Sequence, residues 1–234
     1  MKWIPDKTGR FRLRPFYTDE ELEQICEDEI TSFLRERHGK VAFPVSTSDL
    51  TILIEQHVAD LDNGCDLPDG QDGYTDFFPR EKPQVKIASR LQQEYLENRL
   101  RTTLTHEHGH VRLHGFLFQV DDDLQQLFDG RPEQVQSRCK RETLEGGAPA
   151  TDWMEWQAGF ACGALLMPKT ALMATVNRFR KEHNIFGQVG ITTDPARKLI
   201  TLIANEFQVS RDAATVRLKE RKVLVEQASA TLFG

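Results

Sequence analysis

This chain has few cysteines, no long apolar run and no excess of basic side chains. Its 234 residues include only 4 cysteines, and no two of them have the CxxC spacing, so we expect reduced thiols and a cytoplasmic protein. Lys and Arg number 30 against 36 Asp and Glu, which argues against a general nucleic-acid-binding protein, because phosphate contacts need clustered basic side chains. No segment is apolar over the length that a bilayer requires, and residues 1–17 lack the apolar run of a signal peptide. The 39% of hydrophobic residues are enough for one good core.

Residues 106–110 read HEHGH, which is the HExxH pattern of many zinc sites. Residues four apart lie on one face of an α-helix, about 6 Å from each other, so His106 and His110 can each place one imidazole nitrogen on the same metal ion. Glu107 lies one step round the helix, where its carboxylate can take a proton from water beside the metal. The pattern predicts His106 and His110 as ligands and Glu107 as a catalytic base. The alternative is an ordinary amphipathic helix with surface histidines.

The motif lies within a long helical pattern that begins near Ser89. Leu96, Leu100 and Leu104 recur at intervals of four, and no proline interrupts the run. Gly115 is a suitable C-terminal stop. The HExxH spacing is therefore predicted to lie on a real helix, where it has geometric meaning.

Two further histidines adjoin the motif, and neither is predicted to bind the metal. His108 lies on a different face of the helix, and His114 lies about 12 Å along the axis from His106. Ligand atoms on one zinc ion lie within about 4 Å of each other, so we expect His114 to support the site from behind or to end the helix. The metzincin pattern needs a histidine six residues after His110 and is excluded, because Phe116 stands there.

A third ligand has to come from another part of the chain. Residues 151–168 read TDWMEWQAGFACGALLMP, in which apolar and small residues follow a helical spacing up to Pro168. Glu155 lies in the first turn of this predicted helix and is the leading candidate. Asp152 is the second candidate, although it also suits a helix N-cap, and Cys139 is a third, as a thiolate.

The two segments together resemble the ImmA/IrrE family of zinc-dependent metallopeptidases. TTLTHEHGHVRLH and DWMEWQAGFACGALLMP are similar to that family's patterns TLAHELGHxxLH and ExxAxxFAxxLLMP. The resemblance implies a zincin-like core in which His106, His110 and Glu155 bind Zn²⁺ and Glu107 is catalytic. His108 departs from the pattern, because the family usually has leucine at that position.

This resemblance, which covers roughly residues 40–220, also implies a partner. Members of the family typically pair with a helix-turn-helix transcriptional regulator, which they cleave or inactivate, in stress-response or mobile-element control. The chain is therefore predicted to be a zinc endopeptidase with such a repressor as its protein substrate. The alternative is a non-catalytic regulatory protein that binds a repressor or DNA through a structural or sensory metal site. Glu107 favours the peptidase, because a structural site gains nothing from a carboxylate beside the metal.

The order of elements predicts an α+β fold that is mostly helical, with a small β-sheet. We divide the chain into a metallopeptidase domain, residues 1–168, and a C-terminal region of helix-turn-helix type, residues 169–234. Tyr74–Phe78 and Gln84–Ala88 are the predicted strands, and Asn63–Gly73 is predicted as turns.

Helix caps are predicted at several polar residues. Thr18 and Glu21 form a capping box that opens the first helix, with Ile25 among its inward-facing residues. Thr47 or Ser48 is predicted to cap the second helix.

The C-terminal region is predicted to contain two helices around a short turn, with Ser210 as the cap of the second. Between Arg197 and Lys222, seven basic residues face three acidic ones. Direct DNA binding through these helices is not the favoured prediction, because the excess is modest and the whole chain is acidic.

Substrate access is the least defined part of the prediction. Residues 119–150 lack a regular period and are predicted as a long loop, a candidate lid with a hinge at 145–149. Gln84–Ala88, if it lies at a sheet edge, can pair with an extended substrate. His114, Tyr74 or a histidine of the C-terminal part is a candidate for a further hydrogen-bond donor to the reacting carbonyl.

Overall fold

The computed structural model describes residues 1–79, 81–118, 135–140 and 152–226, and within 135–140 it describes the backbone alone. In these ranges the chain forms an α+β fold of seven α-helices and three small β-sheets. The helices are α1 Asp19–His38, α2 Thr47–Glu55, α3 Glu97–His114, α4 Trp153–Leu166, α5 Lys169–Glu182, α6 Asp194–Phe207 and α7 Arg211–Glu220. The strands are β1 Lys2–Pro5, β2 Leu13–Phe16, β3 Asp60–Cys65, β4 Gln71–Phe77, β5 Gln84–Ala88, β6 Val135–Lys140, β7 Val189–Gly190 and β8 Leu224–Val225.

The largest sheet has four strands in the order β3-β5-β4-β6. Strand β4 pairs antiparallel with β5 and β6, and β5 also pairs parallel with β3. Both predicted strands are therefore confirmed, with β4 beginning three residues earlier than expected. Gln84–Ala88 is an internal strand with a neighbour on each side, so the edge position on which pairing with a substrate depends is not present. A substrate cannot pair with it.

Three strands lie partly or wholly where the sequence predicts turns or loop. β3 and the start of β4 occupy both ends of Asn63–Gly73, and β6 lies within 119–150. The sequence of β3, DLDNGC, has a composition typical of turns. It nevertheless forms a strand because its backbone pairs with β5, and backbone pairing does not depend on the side chains of β3. The proposed hinge at 145–149 lies outside the described residues, as does the rest of 119–150 apart from β6.

The capping box of α1 is confirmed. The Thr18 hydroxyl accepts a hydrogen bond from the backbone N–H of Glu21, and the Glu21 carboxylate accepts one from the backbone N–H of Thr18. The expected inward position of Ile25 is wrong, since its side chain is 36% exposed whereas Cys26 is 2% exposed. The reason is the series of i, i+4 neighbours that defines the buried face, namely Leu22, Cys26, Ile30 and Leu34.

The cap of α2 is Ser46, which precedes both predicted residues. Its hydroxyl accepts a hydrogen bond from the backbone N–H of Asp49 at 3.0 Å. The hydroxyl of Thr47 instead donates to Glu97 at the start of α3, so this residue joins two helices.

The central helix is α3, which is buried over almost all of its length after Leu100. It starts later than the pattern predicts, because Ser89–Gln92 and Glu94–Leu96 form separate 3₁₀ turns. It packs closely on α4 at Gly109, where an added Cβ atom would lie 3.0 Å from the Cα atom and 3.1 Å from the carbonyl oxygen of Ala158. This close approach brings the facing side chains of the two helices within reach of each other.

The C-terminal helices pack on the same hydrophobic core. Ser210 caps α7 as predicted. Three residues separate the end of α6 from the start of α7, so the two helices around a short turn are confirmed. Arg217 of α7 is 1% exposed and donates to the Glu23 carboxylate of α1 and to the Met167 carbonyl oxygen. One cluster of buried side chains continues across residue 168, and the domain boundary there stays a prediction.

Among the helices in the described ranges, none is by itself long and apolar enough to cross a membrane. Taken together across a bend of 60°, α4 and α5 reach the length and composition of a broken span.

Candidate metal centre

Three side chains from two helices converge at the start of α4. The Nε2 atoms of His106 and His110 are 3.1 Å apart. His106 Nε2 lies 3.2 Å from Glu155 Oε2, and His110 Nε2 lies 3.2 Å from Oε1, the other oxygen of the same carboxylate. One ligand atom from each of the three side chains lies within 4.8 Å of the other two. Two ligand atoms bound to zinc at about 2.0–2.1 Å are about 3.3 Å apart in a tetrahedral site, close to the 3.1 Å between the two imidazole nitrogens. The structure therefore brings together the three predicted ligands as a buried group that could hold a metal ion.

The two other candidate ligands have different positions. Asp152 caps α4 by accepting from the backbone N–H groups of Met154 and Glu155, and both of its carboxylate oxygens accept from the guanidinium of Arg10, at 3.0 and 2.6 Å. It is thus a cap and an ion-pair partner, not a member of the donor group. The side chain of Cys139 lies outside the described residues.

Burial and mutual charge set the protonation of the donor group. Burial by itself would raise the pKa of Glu155, but the charge of His110 and the hydrogen bonds of both histidines hold it well below its usual range. Burial lowers the pKa of His106. For His110 burial acts in the same direction, but the charge of Glu155 outweighs it and raises the pKa. An ionised carboxylate and a neutral imidazole are forms that bind metals, and a divalent ion would replace the proton of His110 as the charge that balances Glu155.

A chain of hydrogen bonds behind His110 determines which ring nitrogen carries its proton. The Nε2 atom of Gln157 lies 3.2 Å from the carbonyl oxygen of Pro15, which can only accept, so the Gln157 Oε1 atom accepts from His114 Nε2 at 3.0 Å. His114 Nδ1 is then the acceptor for His110 Nδ1, 3.1 Å away. In neutral His110 the proton therefore lies on Nδ1, and Nε2 is free of a proton on the side of the donor group.

His114 thus lies directly behind the predicted ligand His110, which is one of the two positions expected for it. Burial, and next the charge of His110, lowers its pKa well below the usual value, so it remains a neutral link in the chain. His106 has no comparable support, because its Nδ1 atom lacks a hydrogen-bond partner in the described part of the chain. The orientation of His110 is therefore the better defined of the two.

Glu107 lies on the side of α3 that faces the sheet, and it has no exposed surface. The Thr75 hydroxyl in β4 donates to Glu107 Oε2 at 2.6 Å. Gly73, on the same face of that strand, adjoins the other carboxylate oxygen, since an added Cβ atom would lie 3.2 Å from Oε1 and 2.9 Å from Thr103 Cγ2. Glycine at position 73 leaves room for the carboxylate, and Thr75 holds it beside the donor group.

Tyr74 does not support the predicted role of an additional donor. Successive residues of a strand point to opposite faces, so Tyr74 points away from the face that carries Gly73 and Thr75. The Lys86 ammonium lies over its ring at 5.6 Å. The prediction for Tyr74 is wrong for this reason.

His108 belongs to a separate cluster, as its position on α3 predicts. Its Nε2 atom lies 3.2 Å from Glu29 Oε1, which also approaches His57 at 3.5 Å and Arg112 at 2.6 Å. Burial, followed by the charge of Arg112, lowers the pKa of His57 to about 4. These side chains link α1 and the segment that follows α2 to α3, and they do not join the donor group.

Sequence reasoning missed the residues that hold the donor group and Glu107 in position. For Gly73 and Thr75 a signal existed, because strand alternation places them on one face just ahead of the motif helix. For Gln157 there was none, since its anchor Pro15 is 142 residues away in the chain.

In comparisons with known proteins, no family model matches this chain, and a search of curated proteins finds no match. The resemblance to the ImmA/IrrE family stays a prediction.

Proposed function

We propose that this chain is a zinc-dependent endopeptidase that hydrolyses a peptide bond in a protein substrate. The observation that carries the proposal is the convergence of His106, His110 and Glu155, with the carboxylate of Glu107 held nearby by Thr75. Two imidazoles and one carboxylate are a known donor set of catalytic zinc sites, in which a fourth position is left for water or substrate. Imidazole donors also suit zinc better than magnesium or calcium, which prefer oxygen ligands.

The reaction follows from the roles of the side chains. A divalent ion in this site would polarise the scissile carbonyl and make a water molecule more acidic. Glu107 would accept a proton from the attacking water and deliver it to the nitrogen of the leaving amine as the carbon–nitrogen bond breaks. Thr75 would keep the carboxylate in one rotamer throughout, because its hydrogen bond goes to Oε2.

The resemblance in sequence supports a helix-turn-helix transcriptional regulator as the substrate, in stress-response or mobile-element control. Direct DNA binding by α6 and α7 has less support, because several of their basic side chains already have acidic partners. Arg217 and Arg221 pair with Glu23, Arg197 pairs with Asp194, and Lys219 pairs with Glu226. DNA binding and a cytoplasmic location stay predictions.

A second candidate is a non-catalytic regulator in which the metal has a structural or sensing role. The burial of the centre favours it, since His106, His110 and Glu107 have no exposed surface and Glu155 is 8% exposed. Structural zinc sites leave no coordination position open to water or substrate, and deep burial of the donor group is consistent with such a site. A peptidase needs an opening beside Glu155 through which a substrate reaches the donor group.

The two candidates are separated by Glu107→Gln. Glutamine has the same shape and can still accept a hydrogen bond from Thr75, but it cannot take a proton from water. We expect unchanged zinc content and a loss of cleavage of about 10²- to 10⁴-fold. His110→Ala should lose both zinc and cleavage, whereas Glu97→Gln, on the exposed first turn of the same helix, should lose neither.

Zinc content is measured by atomic absorption, and cleavage of a proteome-derived peptide mixture is followed by mass spectrometry. Cleavage by Glu107→Gln at the wild-type rate refutes its role as the base. A wild-type protein that holds zinc but leaves every peptide, and a candidate repressor, intact supports the regulator instead.

A further inference from the structure

A cavity of about 220 Å³ lies between α3, α4 and α7, next to the metal centre. His106 lines it from α3, Glu155 lines it from α4, and Val216 belongs to the wall that α7 contributes. Two members of the donor group are therefore also part of the cavity wall. A molecule held at the donor group would therefore lie next to this space.

The mouth of the cavity carries exposed apolar side chains. Trp156 is 42% exposed and Val216 is 37% exposed, although both are large apolar residues of packed helices. Trp156 immediately follows the ligand Glu155, so the exposed indole adjoins the donor group in the chain. Such residues next to a buried polar centre are typical of ligand-binding sites.

The interior of the cavity is suited to an apolar occupant. Its walls include Phe160, Leu166 and Met167, and the two charged residues of the wall outside the donor group, Arg217 and Glu220, are paired within the protein. Arg217 donates to the Glu23 carboxylate and to the Met167 carbonyl oxygen, and Glu220 lies 3.3 Å from Arg217. Because these charges are already compensated, they do not select a charged ligand.

The bare surface of α4 keeps the cavity open. An added Cβ atom at Gly159 would meet nothing within 4 Å, and one at Gly163 would meet only the Arg217 side chain at 3.4 Å and the end of Glu220 at 3.9 Å or beyond. The situation differs from that of Gly109, where backbone atoms of the neighbouring helix fill the space. The two glycines of α4 face a volume that no side chain of the described residues occupies.

We infer that this cavity receives an apolar side chain of the substrate, from a residue beside the scissile peptide bond. A cavity of about 150 Å³ lined by aliphatic and aromatic residues is large enough to bind benzene, so about 220 Å³ accommodates an aromatic ring or a branched aliphatic chain. The inference rests on the proposed function, because it assigns substrate specificity to the same metal centre. Substrates with a bulky apolar residue at that position are preferred over those with alanine or glycine.

Two hydroxamates that differ by one phenyl ring provide a test that does not depend on turnover. Acetohydroxamate and phenylacetohydroxamate chelate zinc through the same group, so they differ only in what they offer to the cavity. Binding to the zinc-loaded full chain is measured by calorimetry. We expect the phenyl compound to bind about 10-fold or more tightly than the methyl compound, as found for apolar groups in fitted pockets.

Gly159→Leu fills the cavity from α4 and should abolish the preference for the phenyl compound, while acetohydroxamate binds as before. Ala174→Leu, on the exposed face of α5, is the matched control and should change neither affinity. Val216→Glu, at the exposed mouth, is a second variant that does not alter the interior, and it should also weaken binding of the phenyl compound. Circular dichroism verifies that each variant is folded.

Equal affinities of the two hydroxamates in the wild-type protein, or failure of the phenyl compound to bind, overturn the inference. So does a preference that survives in both Gly159→Leu and Val216→Glu. Peptide cleavage separates this outcome from the proposed function. Cleavage of peptides without a side-chain preference would support the proposed peptidase and refute the pocket. Selective binding of the phenyl compound without any cleavage would support the pocket and refute the peptidase.

Discussion

Gly109→Ala is the substitution for which the structure predicts an effect opposite to the usual one. Alanine in a helix interior is normally more stable than glycine by about 0.5–1 kcal/mol. At Gly109 the new Cβ atom would lie 3.0 Å from Ala158 Cα, 3.1 Å from its carbonyl oxygen and 3.1 Å from Ala161 Cβ. Carbon atoms in contact are normally about 3.5–4.0 Å apart, and two of the three neighbours are backbone atoms that cannot rotate away.

The two helices must therefore separate by a few tenths of an ångström. Overpacking of this kind costs about 1–3 kcal/mol, so after the gain in helix propensity we expect a net loss of about 0.5–2 kcal/mol in the free energy of unfolding. His106 and His110 lie on one of these helices and Glu155 lies on the other, so the same movement widens the donor group. Zinc affinity should fall together with stability.

Urea unfolding of the zinc-free protein, followed by circular dichroism, measures the stability, and competition with a chromophoric chelator measures the zinc affinity. Gly159→Ala is the control within α4, where the added methyl group meets nothing within 4 Å. It should raise the free energy of unfolding by about 0.5–1 kcal/mol. Shifts of the same sign in both variants would refute the assignment of Gly109 as the contact that sets the distance between the helices.

Two further predictions concern groups behind the centre. Gln157→Leu removes the acceptor for His114 and should reduce zinc affinity about 10- to 100-fold, as measured by chelator competition. The control Thr175→Val removes a partly buried hydrogen bond to Glu206 and should leave zinc affinity unchanged. An unaltered affinity in Gln157→Leu would contradict the role of the hydrogen-bond chain. Burial raises the pKa of Cys162 to about 12, so iodoacetamide at pH 8 should modify this thiol only after the protein unfolds. Peptide mass spectrometry measures the modification. Rapid modification of the folded protein would contradict the prediction and show that the thiol is accessible.

The donor group is the part of the molecule that sequence patterns predict best, because it depends on helical geometry. The spacing of His106 and His110 fixes their common face without reference to the rest of the fold. Glu155 could be predicted as a ligand because the sequence marks the start of its helix at Asp152 and the end at Pro168. Their meeting needs only that two helices with small facing residues pack together, and Gly109 and Ala158 supply that contact.

The sheet could not be predicted to the same degree, because strand pairing joins distant parts of the chain. Strand β3 has the composition of a turn and is a strand only because β5 pairs with it. The internal position of β5 likewise depends on β3 and β4, not on its own residues. The supporting role of Gln157 is non-local for the same reason, since its carbonyl partner belongs to Pro15 of the N-terminal hairpin.

That hairpin, formed by β1 and β2, has to be retained in any shortened chain that is used to test metal binding. Besides offering the Pro15 carbonyl to Gln157, it anchors the beginning of α4 through the ion pair of Arg10 with Asp152 and the hydrogen bond from the Trp153 indole to Asp6. A fragment that starts at Tyr17 would keep both signature helices intact but would lose the terminal acceptor that orients a ligand. A fragment chosen only to contain the two motifs would thus lack Asp6, Arg10 and Pro15, which hold the start of α4 and Gln157 in position.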